Sequence, residues 1–410
     1  MQSNSSAAAA PEADPAASPV APTGSAWLAV ASVALGAFAL VTTEFLPVGL
    51  LPSIAAELHV TEGVAGMMVT IPGLVATVAA LAVPLAAGKS DRRYVIIGLM
   101  ALLAISNGIV ALSSSFALTL FGRALLGIGV GGFWAVGGGL GPRLVPARWA
   151  ARATSLIFAG ISLGTVAGVP AGALIGELVG WRVAFGAGAV LAVIGAAAML
   201  ALMPALPTAV AMKARDLPQL LLIKKARLGM LATALIFIGQ FSAYTYITPF
   251  LAQVAGLSAK TISALLLTYG AAGFVGNIIG GWAVARSVRG SLIATGLVLG
   301  LSSLVMPLFG ANMAAITALM VIWGLAFGSM PISVQTWMFQ AAPHAMESGG
   351  AVFVATAQIS LATGALVGGV SVDHLGIPSA LVVGGLFAIA MALLIWRHGH
   401  DRPARLHAVD

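Results

Sequence analysis

No cysteine occurs in the 410 residues, so neither a disulfide framework nor a thiolate metal site can be built. Charge is nearly as scarce. Asp, Glu, Lys and Arg make up 8% of the chain, against about 25% in a soluble domain. The six His, at positions 59, 344, 374, 398, 400 and 407, all fall between the long apolar runs or in the C-terminal stretch. With one acid in the interior of the runs, no His/Asp/Glu cluster is available for an intramembrane hydrolase or a metal centre. An enzyme is therefore not expected, and neither is a metal or a cofactor.

Two phosphate-binding look-alikes fail on context. Gly127, Gly129 and Gly132 satisfy G-x-G-x-x-G, but no strand precedes them, they lie inside an apolar run, and no acid follows about 20 residues on. Gly88-Lys89-Ser90 ends like a phosphate loop, yet Val83 stands where the first Gly must be. The sequence carries no ATPase motif, so the energy for any transport is expected to come from an ion gradient, protons first.

What the chain has in abundance is apolar surface. Sixty per cent of the residues are apolar, with 50 Gly and 20 Pro. A water-soluble fold of this length could not hide that much, whereas a bilayer solvates it, and Gly and Pro are common in membrane helices that approach closely. A spanning helix needs about 20 mostly apolar residues. Such runs occur at 26–51, 63–87, 94–113, 116–140, 154–177, 183–203, 228–253, 261–285, 291–310, 313–339, 350–372 and 378–396, giving twelve spans in an all-α polytopic protein. The weakest breaks are near Ser114 and Asn312. Residues 1–25 are rich in Ala, Pro and Ser, carry no Lys or Arg, and read as a disordered tail without signal-peptide character.

The basic residues fix an orientation. Alternate connections carry Lys89, Arg92, Arg93; Arg143, Arg148, Arg152; Lys213, Arg215, Lys224, Lys225, Arg227; Arg286, Arg289; and Arg397, Arg402, Arg405. The other connections hold only Arg182 and Lys260, and Arg123 alone sits within a span. Basic loops stay cytoplasmic, so both termini are expected there. The net charge of +7 is thus a topology signal and not a nucleic-acid surface. The most basic connection, 204–227, divides an N-terminal bundle (26–203) from a C-terminal bundle (228–396), with 397–410 as a cytoplasmic tail.

The two bundles look duplicated. Ile161-Ser162-Leu163 returns as Ile359-Ser360-Leu361, and Leu51-Pro52 as Thr248-Pro249. Duplicated halves with a site between them near the midplane are a common transporter build. Span 5 carries Gly160, Gly164, Gly168, Gly172, Gly176 and Gly180, a smooth ridge on one face that lets another helix come close. Pro170 interrupts its hydrogen bonding and allows a bend.

Several segments together resemble the major facilitator superfamily, in the proton-coupled drug and sugar efflux branch that includes sugar and purine-nucleoside exporters. Gly88-Lys89-Ser90-Asp91-Arg92-Arg93 is similar to the family's loop between spans 2 and 3. Arg123 with Gly127, Gly129 and Gly131 resembles the span 4 signature. Gly164-x-x-x-Gly168-Val169-Pro170-x-Gly172 resembles the antiporter signature of span 5, a packing hinge. Gly180-Trp181-Arg182 and Thr43-Glu44-Phe45-Leu46-Pro47 are also family-like. In the second half Gly276, Gly280 and Gly281 remain, but Ala285 replaces the Asp. The resemblance implies two pseudo-symmetric six-helix bundles and alternating-access export, with protons and a small uncharged polar solute (sugar, nucleoside) or drug as partners. It also implies a bacterial inner-membrane protein that works as a monomer. Uptake by symport is the alternative, because nothing physical in the sequence sets direction.

Glu44 is the only acid in the interior of a span, Glu177 being the last residue of its run, and Arg123 is the only base. Buried ionisable groups in membranes cost about 3 kcal/mol or more and are usually functional. Span 1 is expected to end near Leu51 and span 4 to begin near Phe116, so both residues lie roughly seven residues, or ~10 Å, from the same membrane face. Burial favours a neutral acid and a nearby guanidinium favours a carboxylate, so the pair could load and release the coupled proton. A permanent structural pair, or a Glu reaching out to the surface, would fit the same positions. Pro47 cannot donate to the Thr43 carbonyl, which is expected to be free for substrate or water.

By resemblance, Asp91 with Arg92 and Arg93 would latch the cytoplasmic side against the start of span 11, near Ser348-Gly349. Thr43, Trp134, Gln240, Tyr244, Asn277, Gln335 and Gln358 are candidate substrate contacts, because rings and neutral amides suit an uncharged polar solute. Each would serve equally well as interhelical glue.

Overall fold

The computed structural model describes residues 23–137, 139–207, 222–310, 312–341 and 346–399. Twelve helices among them are long and apolar enough to cross a membrane. In chain order they are α1 (Gly24–Leu58), α2 (Glu62–Ala87), α3 (Arg92–Leu112), α4 (Phe116–Gly137), α5 (Arg152–Val179), α6 (Trp181–Leu202), α7 (Lys224–Val254), α8 (Ala259–Arg286), α9 (Val288–Phe309), α10 (Met313–Met338), α11 (Val352–Leu375) and α12 (Pro378–His398). Every expected span is present. Residues 1–22, Lys213 and Arg215 of the basic connection, and Arg402 and Arg405 of the tail lie outside the described residues. Gly24 and Ser25, read as tail, begin α1, and Lys224–Arg227, read as linker, are the first turn of α7.

The helices stop where polar groups can replace the lost backbone partners. The Asp91 side chain caps α3 by accepting from the Arg93 N–H at 2.8 Å, and Ser287 caps α9 by accepting from Gly290 N–H at 3.0 Å. The two weak breaks also hold: Asn312 Oδ1 accepts from Ala315 N–H at 3.1 Å at the start of α10, and the Ser113 carbonyl is taken by Arg182. α1 is the exception to the expected lengths. It runs two turns past Leu51, where Glu57 is paired with Arg182 and accepts from Trp181 Nε1 at 2.6 Å.

The duplication is structural. Arg93 Nη2 donates to the Leu200 carbonyl in the last turn of α6, and Arg289 Nη2 donates to the Trp396 carbonyl in the last turn of α12. Both residues of each clamp are offset by 196 (93 to 289, 200 to 396). A cation on the last carbonyls of a helix also meets the negative end of its dipole. The turns entering α6 and α12 repeat likewise: Gly180 and Gly376 hold φ of 94° and 85°, which an L side chain rarely adopts. Gly180 therefore leaves the ridge of α5 and serves the turn. Ser287, not residue 285, takes the capping place of Asp91 in the second half.

The rest of the ridge packs on α1. Gly160, Gly164, Gly168, Gly172 and Gly176 face α1 between Ala34 and Leu50; a Cβ on Gly164 would come within 3.0 Å of Val41. The Val169 N–H reaches back to the Gly164 carbonyl, so α5 widens into a π turn over Gly164–Gly168 just before Pro170. Such turns mark local loosening of a helix. Large apolar side chains on the outside of the bundle, such as Ile105, Val190, Val370 and Leu386, are exposed and suit contact with lipid.

The two halves meet along α1 with α7, α2 with α11, and α5 with α8. Close approach is built in: a Cβ on Gly270 of α8 would sit 2.6 Å from the Val166 Cα of α5. One end of the bundle carries Lys89, Arg92, Arg93, Arg143, Arg148, Arg286, Arg289 and Arg397 and is called here the basic end. Between the halves lie the buried Glu44 and Gln358, which hydrogen-bond to each other across the interface.

Candidate functional site

Arg123 of α4 is fully buried, yet among the described residues its guanidinium makes no ion pair with a carboxylate. Three of its nitrogens donate to main-chain carbonyls: Nε to Met68 at 2.7 Å, Nη1 to Thr43 at 2.9 Å and Nη2 to Glu44 at 2.7 Å. Pro47 explains why α1 can offer the Thr43 oxygen, since it has no N–H to close that helical bond. The freed carbonyl is thus occupied by Arg123 and does not face substrate or water. Glu44 and Arg123 are brought together as their shared depth implies, but through the backbone of Glu44.

The Glu44 carboxylate is directed to the other half. Its Oε1 accepts from Gln358 Nε2 of α11 at 3.3 Å, and Glu44 is only 5% exposed. The Gln358 Oε1 is buried without a hydrogen-bond partner. An acid and an amide from opposite bundles therefore meet at one point, with an acceptor left over.

Beside them stands a wall of rings. Phe45, the next residue of α1, stacks on Phe241 of α7 with centroids 5.4 Å apart and 10° between planes. Tyr244 of α7 stacks on Tyr269 of α8 at 5.1 Å and on Phe327 of α10 at 6.2 Å. Trp323 of α10 meets both tyrosines edge-on. Gln240, one turn before Tyr244, orders this wall: its Nε2 donates to the Tyr269 hydroxyl at 2.7 Å, and its Oε1 accepts from Trp323 Nε1 at 2.8 Å. Buried aromatic side chains with a few placed polar groups are what sites for flat organic solutes are made of.

Of the expected substrate contacts, Gln240, Tyr244 and Gln358 converge here. Thr43 is close but turned to α3 and α6; its Oγ1 donates to the Ala39 carbonyl at 2.7 Å and accepts from Asn107 Nδ2 at 3.4 Å. Trp134, Asn277 and Gln335 are elsewhere. Trp134 stacks on Phe158 at 5.8 Å. Each lies eight to twelve residues along its helix from Arg123, Tyr269 and Trp323 respectively, or roughly 12–18 Å nearer the basic end at ~1.5 Å per residue. Phe45, Phe241, Tyr269, Trp323 and Phe327 were not foreseen, because in a chain this apolar a ring inside a span reads as packing. The one available signal was the i, i+4 spacing of Gln240 and Tyr244, which puts them on one face.

Asp91 lies at the basic end. Besides capping α3, its Oδ1 accepts from the Leu206 N–H at 2.8 Å, within its own half. Arg143 Nη2 donates to the Leu206 and Pro207 carbonyls at 3.1 and 2.6 Å, so the segment leaving α6 is held from two loops. Nothing is described of the Ser348 side chain. Among the described residues no group of three or more His, Asp or Glu could hold a metal ion.

The family model described as "Major Facilitator Superfamily" matches residues 33–358. The chain belongs to the major facilitator superfamily. It is 37% identical over 369 residues to the "Purine ribonucleoside efflux pump NepI" of Escherichia coli strain K12, covering 90% of this chain and 93% of that protein. The same protein from Shigella flexneri matches equally, and that of Shigella dysenteriae serotype 1 matches at 37% with 94% of its length covered. Among solved structures, the "human organic anion transporter MFSD10 (TETRAN)" superposes with a TM-score of 0.67 at 16% identity, over 91% of this chain and all of that one. That likeness shows the fold. This major facilitator protein is a membrane transporter and not an enzyme, and between its two bundles Glu44 meets Gln358 and Phe45 meets Phe241.

Proposed function

We propose that this transporter exports a nucleoside-like solute in exchange for protons, by alternating access, from the cytoplasm of a bacterial cell across the inner membrane. The observation that carries this reading is the meeting of Glu44 with Gln358 beside the aromatic wall of Phe45, Phe241, Tyr244, Tyr269, Trp323 and Phe327. A purine ring is flat and stacks on aromatic faces, and its ribose offers hydroxyl donors to acceptors such as the Gln358 Oε1. The efflux pumps that share 37% of its residues support the same solute class and direction.

Glu44 carries the proton in this scheme. As a carboxylate it accepts from the Gln358 amide; as a carboxylic acid it can donate to the unpartnered Gln358 Oε1 after a flip of the amide. Protonation is then felt directly by α11 of the opposite half. Arg123 keeps the surrounding main chain fixed. The π turn at Gly164–Gly168 gives α5 the freedom to rock on α1. At the basic end, Asp91 with Arg92 and Arg93 would latch against the start of α11 when the opposite end opens. The preponderance of Lys and Arg supports a cytoplasmic position for the basic end and, with it, for both termini. The site is assembled from one chain, which favours a monomer as the working unit.

The test is proton release in everted vesicles holding an acidic interior. Purine ribonucleosides, sugars and unrelated drugs are added in turn, and the fluorescence of an entrapped pH dye is followed. Release on adding a purine ribonucleoside, abolished by Glu44→Gln, is the expected result. Release with sugars alone moves the substrate class. Silence throughout rejects proton-coupled export and leaves uptake to be assayed with labelled solutes.

A further inference from the structure

Helices α2 and α11 lie side by side and antiparallel across the interface of the halves, so closely that a Cβ on Gly73 of α2 would come within 3.0 Å of the Gln358 carbonyl. At the end away from the basic loops, the pair is fastened. Asp373, in the last turn of α11, accepts from Thr61 Oγ1 at 2.8 Å through Oδ2 and from the Gly63 N–H at 3.1 Å through Oδ1. Both carboxylate oxygens are thus spent on the first turn of α2. Around this clasp, Gln253 of α7 donates to the Glu62 carboxylate. The Tyr246 hydroxyl donates to the Ala365 carbonyl at 2.9 Å and lies 3.4 Å from that of Gly63. The junction leaves no slack, since a Cβ on Gly369 would come within 2.8 Å of the Gly63 carbonyl.

The same two helices have an acid at their other junction. Asp91 follows the C-terminal end of α2 as Asp373 closes that of α11. Here Asp91 is engaged within its own half by the Arg93 and Leu206 N–H groups, while Asp373 reaches across.

We propose that Asp373 locks the end opposite the basic loops by gripping Thr61 and Gly63 of α2, and must release them before the central site opens on that side. Asp373 alone of the two acids reaches the first turn of the partner helix, while Asp91 stays on partners of its own half. The role of Asp373 stands on its own contacts and needs no knowledge of the solute. Glu62, Gln253 and Tyr246 align the turn that Asp373 grips.

The chain's lack of cysteine makes the test direct. Ser242 of α7 lies one turn inside Tyr246, is buried, and its Oγ has no partner, so Ser242→Cys supplies a near-isosteric reporter behind the clasp. Whole cells and inverted vesicles are treated with a membrane-impermeant maleimide, and labelling of Ser242→Cys is timed alone and combined with Asp373→Asn or Thr61→Val. Loss of a charge-assisted hydrogen bond should raise the labelling rate from the side opposite the basic loops about tenfold. Unchanged rates in both combinations would overturn the proposal. A second arm does not depend on weakening the clasp. In the triple variant Thr61→Cys, Asp373→Cys, Ser242→Cys, oxidation should join the first two thiols, stop transport of a purine ribonucleoside until they are reduced, and leave residue 242 labelled more slowly from that side than in Ser242→Cys alone. Failure of the thiols to join, or undiminished labelling of residue 242 once they are joined, rejects the lock even if the solute proves to be something else.

Discussion

Arg123 donates a 2.9 Å hydrogen bond to the carbonyl oxygen of Thr43, the very oxygen that Pro47 leaves without a helical donor. A buried guanidinium and a helix-breaking residue, each unfavourable alone, satisfy each other. The guanidinium is held by three carbonyl oxygens, and no hydrogen bond ties it to the Glu44 carboxylate, an arrangement compatible with the proton role proposed for Glu44.

Replacing Arg123 should therefore be a stability lesion before it is a coupling lesion. Arg123→Ala leaves buried carbonyls of Met68, Thr43 and Glu44 without that donor, at about 1–3 kcal/mol for each group left unsatisfied. Pro47→Ala gives residue 47 an N–H that can close the helix on Thr43. Added to Arg123→Ala, it should return part of the loss, with a coupling of about 1 kcal/mol in a double-mutant cycle. Thermal unfolding of the detergent-solubilised variants measures it. Additive effects of the two substitutions would show that the Thr43 carbonyl is not the shared element.

Glu44→Gln should separate binding from coupling. The amide keeps the shape and can still bond Gln358, but it cannot carry a proton. Binding of a purine ribonucleoside should change by less than about tenfold, whereas solute-driven proton movement should disappear. Exchange of solute for solute across the membrane should survive. Equal dependence on the pH gradient in Glu44→Gln and the parent protein would remove Glu44 from the coupling step.

The ring of Tyr244 should matter more than its hydroxyl. It stacks on Tyr269 and on Phe327, which also stack on each other, and stacking of a base on an aromatic side chain is worth about 1–3 kcal/mol. Tyr244→Phe should leave affinity for a purine nucleoside nearly unchanged. Tyr244→Leu should weaken it by roughly 5- to 150-fold, read by equilibrium binding to purified protein. A large loss in the phenylalanine variant would move recognition from the ring face to the hydroxyl.

How much of this could be read from the chain depends on whether a residue was out of place in lipid. The twelve spans were legible because runs of apolar residues bounded by charge have few other readings. Glu44 and Arg123 stood out because nothing else charged lies so deep. What joins them was not legible, since a sequence gives the depth of a side chain but not whether it meets a carboxylate or a carbonyl. Phe45, Tyr269, Trp323 and Phe327 were invisible for the opposite reason, as rings are unremarkable among apolar neighbours. Asp373 was overlooked because an acid at a helix end is ordinarily solvated, and only the meeting of two helices from different halves gives it partners. The clamps of Arg93 and Arg289 were obscured in the same way, by a loop motif that had changed in the second half while its geometry persisted.

The face of α5 that rides on α1 offers the remaining prediction. Gly168 lies against the Thr42 side chain, and Gly172 and Gly176 lie against Leu46 and Leu50. If the ridge only filled space, Gly168→Ala would lower stability and transport together. If α5 must also slide, small additions on the ridge should slow turnover more than they lower stability. Gly172→Ala is the milder probe, because the atom nearest an added Cβ is the far end of the Leu46 side chain, which can move aside. Gly172→Ala is expected to keep unfolding temperature within a few degrees of the parent and solute affinity unchanged, while maximal transport rate falls several-fold. Replacing Leu46 with Ala in the same protein should restore the rate by opening the space again. A Gly172→Ala protein with normal turnover, or one whose rate is not recovered by Leu46→Ala, would show that this face is static packing and that the motion of the halves is taken up elsewhere.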